Sequence, residues 1–477
     1  MIDNFKFGRV AVLGDLLLDC YISGSVGRIS PEAPVPVLLR AQHTAVPGGA
    51  ANVAMNAATL GCAVELIGLV GCDAPADTLK TALLHDGTID LAGVVADAAW
   101  VTITKTRVVS GRQQIVRIDE ERIAPVSRET RARLIDAACR AITRADVLIC
   151  SDYAKGLLSD DVLEAVIGYA RQRNVPVIVD PKRRDFAAYR GASLVTPNRG
   201  EIALATGLTL GSDAEIERAA RIVSDQFGGD VLVTRSEEGM TLVRRDGRVT
   251  HAHARKSEVY DVSGAGDTVV ATIASVLSAG QDLETAIVIA TSAAAIAVSK
   301  LGTATVTRHE LSAALRAEMK EDGTLVPLEQ ARALVEGWRQ HGARIVLTNG
   351  CFDLIHPGHI ALIRGAARHG DKLVVALNSD ASVRRLKGPS RPLQDELARA
   401  TVMGALRDVD LVVIFDEDTP LETIQALRPD IIVKGSDYQE HEVVGRDVVT
   451  SYGGSVVLVD LIEGRSTSSI VRKMQPG

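Results

Sequence analysis

Val10-Ala-Val-Leu-Gly-Asp15 is a short apolar run closed by Gly-Asp, the pattern of a buried parallel strand with a polar tip. The pattern returns at Val64-Glu-Leu-Ile-Gly-Leu-Val70, Val147-Leu-Ile-Cys-Ser-Asp152, Val175-Pro-Val-Ile-Val-Asp180, Ser193-Leu-Val-Thr-Pro-Asn198 and Val231-Leu-Val-Thr234. Helical periodicity fills many of the intervals, at residues 129–143, 160–173 and 213–227. Strand alternating with helix predicts a parallel α/β sheet. Ligands of such sheets bind at the carboxyl ends of the strands, where these Asp and Asn residues gather. Residues 21–46 and 100–118 break the rhythm with alternating Thr, Val and Arg, and predict a small accessory β sheet able to cover the site.

Character changes at residues 319–343, where a polar, Gly-containing stretch leads into an amphipathic helix over 328–340. The α/β rhythm then restarts, with apolar runs at 344–349, 372–380, 410–415, 431–434 and 455–459. The expected organisation is a first domain over 1–318, a linker with a short helix over 319–343, and a second, smaller doubly wound domain over 344–477. A chain of 477 residues is too long for one ordinary core, which agrees with this division.

Net charge is −7 and there is no basic tract to neutralise phosphates, which argues against a general nucleic-acid or membrane-surface binder. The six cysteines, Cys20, Cys62, Cys72, Cys139, Cys150 and Cys351, have neither C-x-x-C nor zinc-ligand spacing, so free thiols in a reducing compartment are expected. The start, Met1-Ile-Asp-Asn-Phe-Lys6, has no basic region of a signal peptide. The most apolar stretch, 286–298, is too short to span a bilayer. The expectation is a cytoplasmic protein without membrane insertion.

Two motifs carry chemistry. In Asp261-Val-Ser-Gly-Ala-Gly-Asp-Thr268, the small residues Gly264, Ala265 and Gly266 let backbone N–H groups approach a phosphate. The helix that follows favours negative charge at its start. Asp267, in its first turn, is placed to take a proton from an attacking hydroxyl. Pro47-Gly-Gly-Ala-Ala-Asn52 is a second Gly-rich turn into a helix, readable also as plain helix packing. Asn198-Arg-Gly-Glu201 follows a strand and reads equally as a helix N-cap.

In this order, over residues 8–315, these pieces resemble the PfkB/ribokinase family of sugar kinases. The resemblance implies that Asp267 is the base and that Gly264, Ala265 and Gly266 form the anion hole. It implies that Asn198, Arg199, Gly200 and Glu201, with Ser236 and Gly239 of the Thr234–Gly239 turn, place ATP, and that Glu201 acts indirectly on Mg²⁺. Asp15, Asp19, Gly48, Gly49 and Asn52 then face the sugar. It further implies potassium in the kinase domain and a homodimer formed through the β lid. Arg107, Arg112, Arg117, Lys155, Lys182 and Arg183 are cations available to a substrate that already carries a phosphate, and also read as solvated surface; Arg117 and Lys182 are taken as sugar-side contacts. The sequence has Val269 and Ala271 where the family often has Phe and Gly, and Ser236 where Gly is common.

The second motif is Asn349-Gly-Cys-Phe-Asp-Leu-Ile-His-Pro-Gly-His359. His356 and His359 are three apart and share a helix face. They read as phosphate ligands, as metal ligands with Cys351, or as a structural pair. Lys434-Gly-Ser-Asp-Tyr438 follows a later strand, and Gly464-Arg-Ser-Thr-Ser-Ser469 opens a last helix with an Arg and hydroxyls suited to a triphosphate. This set resembles the HxGH nucleotidyltransferases of cytidylyltransferase-like fold. By that resemblance His356 and His359 stabilise the α/β-phosphates. Arg465, Ser466, Thr467 and Ser468 hold the triphosphate, and Asn349, Gly350, Cys351, Phe352, Lys387 and Lys434 line the nucleotide site.

The fold class implied is α/β: a ribokinase-like doubly wound sheet with a small β lid, then a smaller Rossmann-like nucleotidyltransferase domain. The fusion resembles the bifunctional heptose enzymes of lipopolysaccharide biosynthesis. It implies phosphorylation of D-glycero-β-D-manno-heptose 7-phosphate at O1 by ATP, removal of the 7-phosphate by a separate phosphatase, and adenylylation of heptose 1-phosphate. Another sugar or polyol with CTP, or a second domain that only senses nucleotide, remain as alternatives.

Overall fold

The computed structural model describes residues 2–84, 88–111, 113–122, 125–254, 259–300, 302–321, 325–340 and 342–460. Its contacts divide the chain into two compact units, Met1–Leu315 and Arg316–Gly477.

The first unit is built on a nine-stranded sheet with the spatial order Val249–Ala252, Met240–Val243, Asp230–Thr234, Leu194–Val195, Val177–Asp180, Val147–Ser151, Arg9–Gly14, Ala63–Val70 and Ile89–Ala96. From Asp230–Thr234 onward all neighbours are parallel, and the two strands before it add antiparallel. Successive side chains of a strand face opposite sides. Val10 and Val12 therefore join one buried cluster, and Ala11 and Leu13 the other. Helices Ala50–Leu60, Ala265–Ser278 and Leu283–Val298 cover the first face. Helices Arg128–Ile142, Asp160–Gln172 and Asp213–Phe227 cover the second. Burial on both faces is why these strands read as continuous apolar runs.

The two β-rich interruptions form a separate four-stranded sheet, ordered Pro36–Gly49, Leu16–Ile29, Ile103–Ser110, Gln113–Glu120. It begins one residue beyond Arg9–Gly14, so the chain passes from the carboxyl rim of the main sheet directly into the lid.

The second unit carries five parallel strands ordered Leu411–Phe415, Lys372–Asn378, Ile345–Gly350, Ile431–Gly435 and Ser455–Val459. The first strand in the chain lies in the middle, and the order reverses between it and Ile431–Gly435, which makes that crevice the switch point where ligands bind. Helix Leu328–Gln340, expected in a linker, is part of this unit's core. Its Ala331 and Val335 are buried against Ile345, Leu347, Val374, Leu411 and Val413. The residues just before it also join the sheet, through a bridge from Leu325 to Val412. Among the described residues no helix is long and apolar enough to cross a membrane.

Candidate active sites

The first site forms where helix Ala265–Ser278 begins. Its N-cap, Gly264, has φ 78°, a conformation open to Gly, and a Cβ there would lie 2.9 Å from Asn52 Nδ2. That close approach matters, because Asn52 Nδ2 donates to Asp267 Oδ2 at 2.8 Å. The Tyr153 hydroxyl donates to the other oxygen, Oδ1, also at 2.8 Å. Asp267 is only 3% exposed. Burial pushes its pKa up to about 6; the Asn52 and Tyr153 bonds act against the rise, Asp19 adds to it and Lys105 opposes it. The carboxyl is thus ionised at neutral pH but more basic than an ordinary Asp, which suits a general base. The space over Gly266 is open, and the first N–H groups of a helix lack intrahelical partners. The Ala265 N–H is turned to the Val262 carbonyl at 3.3 Å.

A cavity of about 190 Å³ runs from Asp267 and Gly266 past Asp180 and Lys182 to Asn198 and Glu201. Asn198 and Glu201 form a complete capping box, each side chain accepting from the other's backbone N–H at 2.9 Å. The second oxygen of Glu201 meets Lys182 Nζ at 2.5 Å. Lys182, expected on the sugar side, therefore stands among the residues expected to place ATP. Arg199 pairs with Glu238, and Arg235 with Glu238 and Asp213, which ties the Thr234–Gly239 turn to the Asn198 helix. Ser236 adopts φ 53°, so the turn retains at this position a backbone that favours Gly.

On the lid side, Asp15 Oδ2 accepts the N–H groups of Tyr153 (2.9 Å) and Lys155 (3.1 Å). Its Oδ1 is buried without a partner, and burial raises the pKa to about 6. A substrate hydroxyl fits that orphaned acceptor. Asp19 pairs with Arg107 at 2.5 Å. A Cβ on Gly48 would come 2.3 Å from Asp19 Oδ2, so Gly48 is what admits that carboxylate, while Gly49 (φ 58°) turns the chain into helix Ala50–Leu60. Arg117 instead pairs with Asp119 on the outer lid strand, and Arg183 braces Asp152 and Asp160. Arg112 lies outside the described residues.

Among the described residues no three His, Cys, Asp or Glu side chains are grouped to hold a metal by themselves. A Mg²⁺ carried on nucleotide phosphates keeps several waters and asks for one or two carboxylates. Asp180 and Glu201 face the cavity and fit that demand: burial, then Asp267 and Glu201, hold the Asp180 carboxyl well above the usual range.

The second site sits at the switch point of the smaller sheet. His356 caps helix Pro357–Ala367, its Nδ1 accepting from the Gly358 N–H at 3.2 Å, with Pro357 in the first turn. The His356 and His359 rings stack with centroids 3.8 Å apart, and Phe352, at φ 45°, meets the His359 ring edge-on at 5.1 Å. Burial, then His356 and Lys387, push the His359 pKa down to about 4 against the pull of a backbone hydrogen bond at Leu354. Lys434 Nζ donates to the Asn349 carbonyl at 3.0 Å, over the Tyr438 ring, and burial lowers its pKa to about 8. The Cys351 thiol turns to Asn378 Oδ1 at 3.7 Å. The fold thus brings Asn349, Gly350, Phe352, His356, His359 and Lys434 to one rim, with the charge of Lys387 nearby. Arg465, Ser466, Thr467 and Ser468 lie outside the described residues.

Several functional-looking residues had no signal of their own in the sequence. Tyr153 follows a strand tip but lies 114 residues from Asp267. Arg399, fully buried, donates to the carbonyls of Cys351, Asn378 and Gln394 and to Asp380, framing the histidine loop. Asp353 is held by Arg391 and by the N–H groups of Leu393 and Gln394.

Fold and sites define a carbohydrate kinase joined to a nucleotidyltransferase-like domain. Residues 8–310 match the pfkB family carbohydrate kinases and residues 347–472 the cytidylyltransferase-like family. The chain is 64% identical over 475 residues to the bifunctional protein HldE of Gluconobacter oxydans (strain 621H), covering 100% of this chain and 99% of that one. It is 61% identical over 476 residues to HldE of Azorhizobium caulinodans, covering 99% of each. The chain belongs to this family of bifunctional proteins, with a PfkB kinase as its first unit. Among solved structures, Arabidopsis thaliana ribokinase complexed with ribose and ATP is 20% identical with a TM-score of 0.54, covering 65% of this chain and 99% of that one. Escherichia coli phosphofructokinase-2 in complex with potassium is 19% identical with a TM-score of 0.55, covering 66% and 99%. These two likenesses concern the fold of the first unit.

Proposed function

We propose that the chain phosphorylates D-glycero-β-D-manno-heptose 7-phosphate at O1 with ATP and, after a separate phosphatase has removed the 7-phosphate, transfers AMP from ATP to heptose 1-phosphate. The product is ADP-D-glycero-β-D-manno-heptose, a precursor of the lipopolysaccharide core. The observation that carries the kinase half is Asp267, a basic carboxylate fixed by Asn52 and Tyr153 at a helix start, in a cavity that leads to Asn198 and Glu201.

Asp15 and Asp19 hold sugar hydroxyls, and Asp267 takes the O1 proton. An O1–Pγ bond forms, the bond from Pγ to the bridging oxygen breaks, and ADP leaves. The N–H groups of Gly266 and Asp267 and the ammonium of Lys182 offset the charge that develops. Mg²⁺, when bound, neutralises phosphate oxygens, and Asp180 and Glu201 are the residues to hold it. Potassium beside the kinase site, a homodimer through the lid and a cytoplasmic location belong to the same proposal.

In the second unit a phosphate oxygen of heptose 1-phosphate attacks the α-phosphorus of ATP and pyrophosphate leaves. No covalent intermediate is required, so the work is orientation and electrostatics. His356, His359 and Lys434 supply positive or hydrogen-bonding groups at the switch point, and residues 465–468 are assigned to the triphosphate. ³¹P NMR of the protein with ATP, Mg²⁺ and heptose 7-phosphate tests the first step, and heptose 1-phosphate tests the second. Expected are an anomeric phosphate with ADP, then a diphosphate diester with pyrophosphate. Turnover with CTP in place of ATP, or no pyrophosphate at all, overturns the second half.

A further inference from the structure

Lys105 lies in the middle of the lid strand Ile103–Ser110, in parallel register with Asp19, so both side chains leave the lid on the same face. It is half-buried, and its ammonium stands 5.6 Å from the centre of the Tyr153 ring, whose hydroxyl reaches Asp267. Lys105 is thus about one tyrosine side chain away from the base. Two carboxylates around it are already engaged, Asp19 by Arg107 at 2.5 Å and Asp119 by Arg117 at 2.8 Å, and Asp267 also feels its charge. Among the described residues no ion pair or hydrogen bond reaches Lys105 Nζ. Burial holds its pKa below the ordinary lysine value, with Lys155 and Arg117 adding to the fall and Asp19 and Asp119 opposing it. A half-buried cation with no ion-pair partner of its own gains most where an anion arrives with the ligand.

We propose that Lys105 binds the phosphate that the sugar substrate already carries. This rests on the kinase reading given above and names the part of the site that selects a phosphorylated sugar. The transferring phosphoryl group is the other anion in reach. The cavity that joins Asp267 to Asn198 and Glu201 is lined by Lys182, however, and Lys105 is not part of its wall. Lys105 is on the lid side of Tyr153, where the far end of a sugar lies once its reacting hydroxyl is at Asp267. A phosphomonoester dianion matches the site in charge.

The test is the ratio of kcat/KM for heptose 7-phosphate to kcat/KM for the unphosphorylated heptose. Both sugars are assayed on one preparation, so any loss of folded protein cancels. In Lys105→Met the ratio should fall by about 10- to 100-fold, the range of a charged hydrogen bond lost. Lys105→Arg, which keeps the charge, should retain most of it. Equal losses with both sugars, or a KM for ATP that rises in step, place Lys105 at the transferred phosphate and overturn the inference. An unchanged ratio overturns it as well. Wild-type protein that makes no ADP with heptose 7-phosphate instead overturns the kinase reading itself.

Discussion

The Tyr153 hydroxyl donates 2.8 Å to Asp267 Oδ1, so a residue from the tip of one sheet strand sets the basicity of a carboxylate on a helix 114 positions later. A donor stabilises the ionised form and holds the pKa down against burial. Tyr153→Phe removes that donor while keeping the ring that faces Lys105. The acidic limb of the kcat/KM profile of the kinase step should then move up from about 6, by roughly one pH unit for a lost charged hydrogen bond. Activity on the alkaline side of that limb should fall less than activity at pH 6. A limb that stays in place means that the hydroxyl does not act on the base.

Asp267→Asn should slow phosphorylation by roughly 10²–10⁴-fold, the usual cost of losing a general base. It should also stabilise the protein near neutral pH. The carboxyl has a higher pKa in the fold (about 6) than its ordinary 3.8, so the folded state binds the proton more tightly and stability falls as pH rises through that window. The amide keeps its oxygen toward Asn52 and donates to Tyr153, and it has no charge to bury. The gain is up to about 3 kcal/mol at pH 8, shrinking toward pH 4. Denaturant melts of both proteins across that range read it directly. A variant less stable than wild type at pH 8 would show that the buried charge is well compensated.

His356→Ala and His359→Ala should each abolish most pyrophosphate release while leaving ADP formation from heptose 7-phosphate intact. Without nucleotide, burial keeps His359 neutral down to about pH 4. The ordinary histidine value is 6.5, so the unfolded chain takes up the proton first and this residue costs stability as pH falls between those values. A triphosphate at the site reverses the field and should raise the His359 pKa. Histidine ring NMR with and without a non-hydrolysable ATP analogue measures this. An unmoved resonance would take His359 out of the phosphate site.

Much of this was legible in the sequence, for physical reasons. A strand buried on both faces must be apolar throughout, so the runs at Val10, Val147 and Ile345 declare themselves. Close approach of backbone to a ligand or side chain requires Gly, so Gly264 and Gly48 mark the first site. Residues whose role comes from distant partners were not legible. Lys105 and Arg399 stand in no motif, yet one is half-buried and the other wholly so. Asn198 and Glu201 carry two readings at once, because a capping box satisfies the helix start and also fixes Glu201 against Lys182.

Helix Leu328–Gln340 misleads in the same way, because Gly and charged residues flank it as they would a spacer, and the difference can be measured. Its Ala331 and Val335 are buried in the second unit, and Leu328, Leu334 and Trp338 pack against the same cluster. A piece that starts at residue 325 should fold and release pyrophosphate without the first unit, since each unit has its own core. A piece that starts at residue 344 loses this cover and exposes Ile345, Leu347, Leu411 and Val413. Burying one large apolar side chain is worth ~1.5–3 kcal/mol, so the shorter piece should be less stable by roughly 3 kcal/mol or more, a large share of the ~5–15 kcal/mol that holds a domain. Urea melts of the two pieces compare them directly. Equal midpoints would return the helix to the role of a linker. A longer piece that folds but stays inactive until residues 1–318 are added would show that the two units share a site.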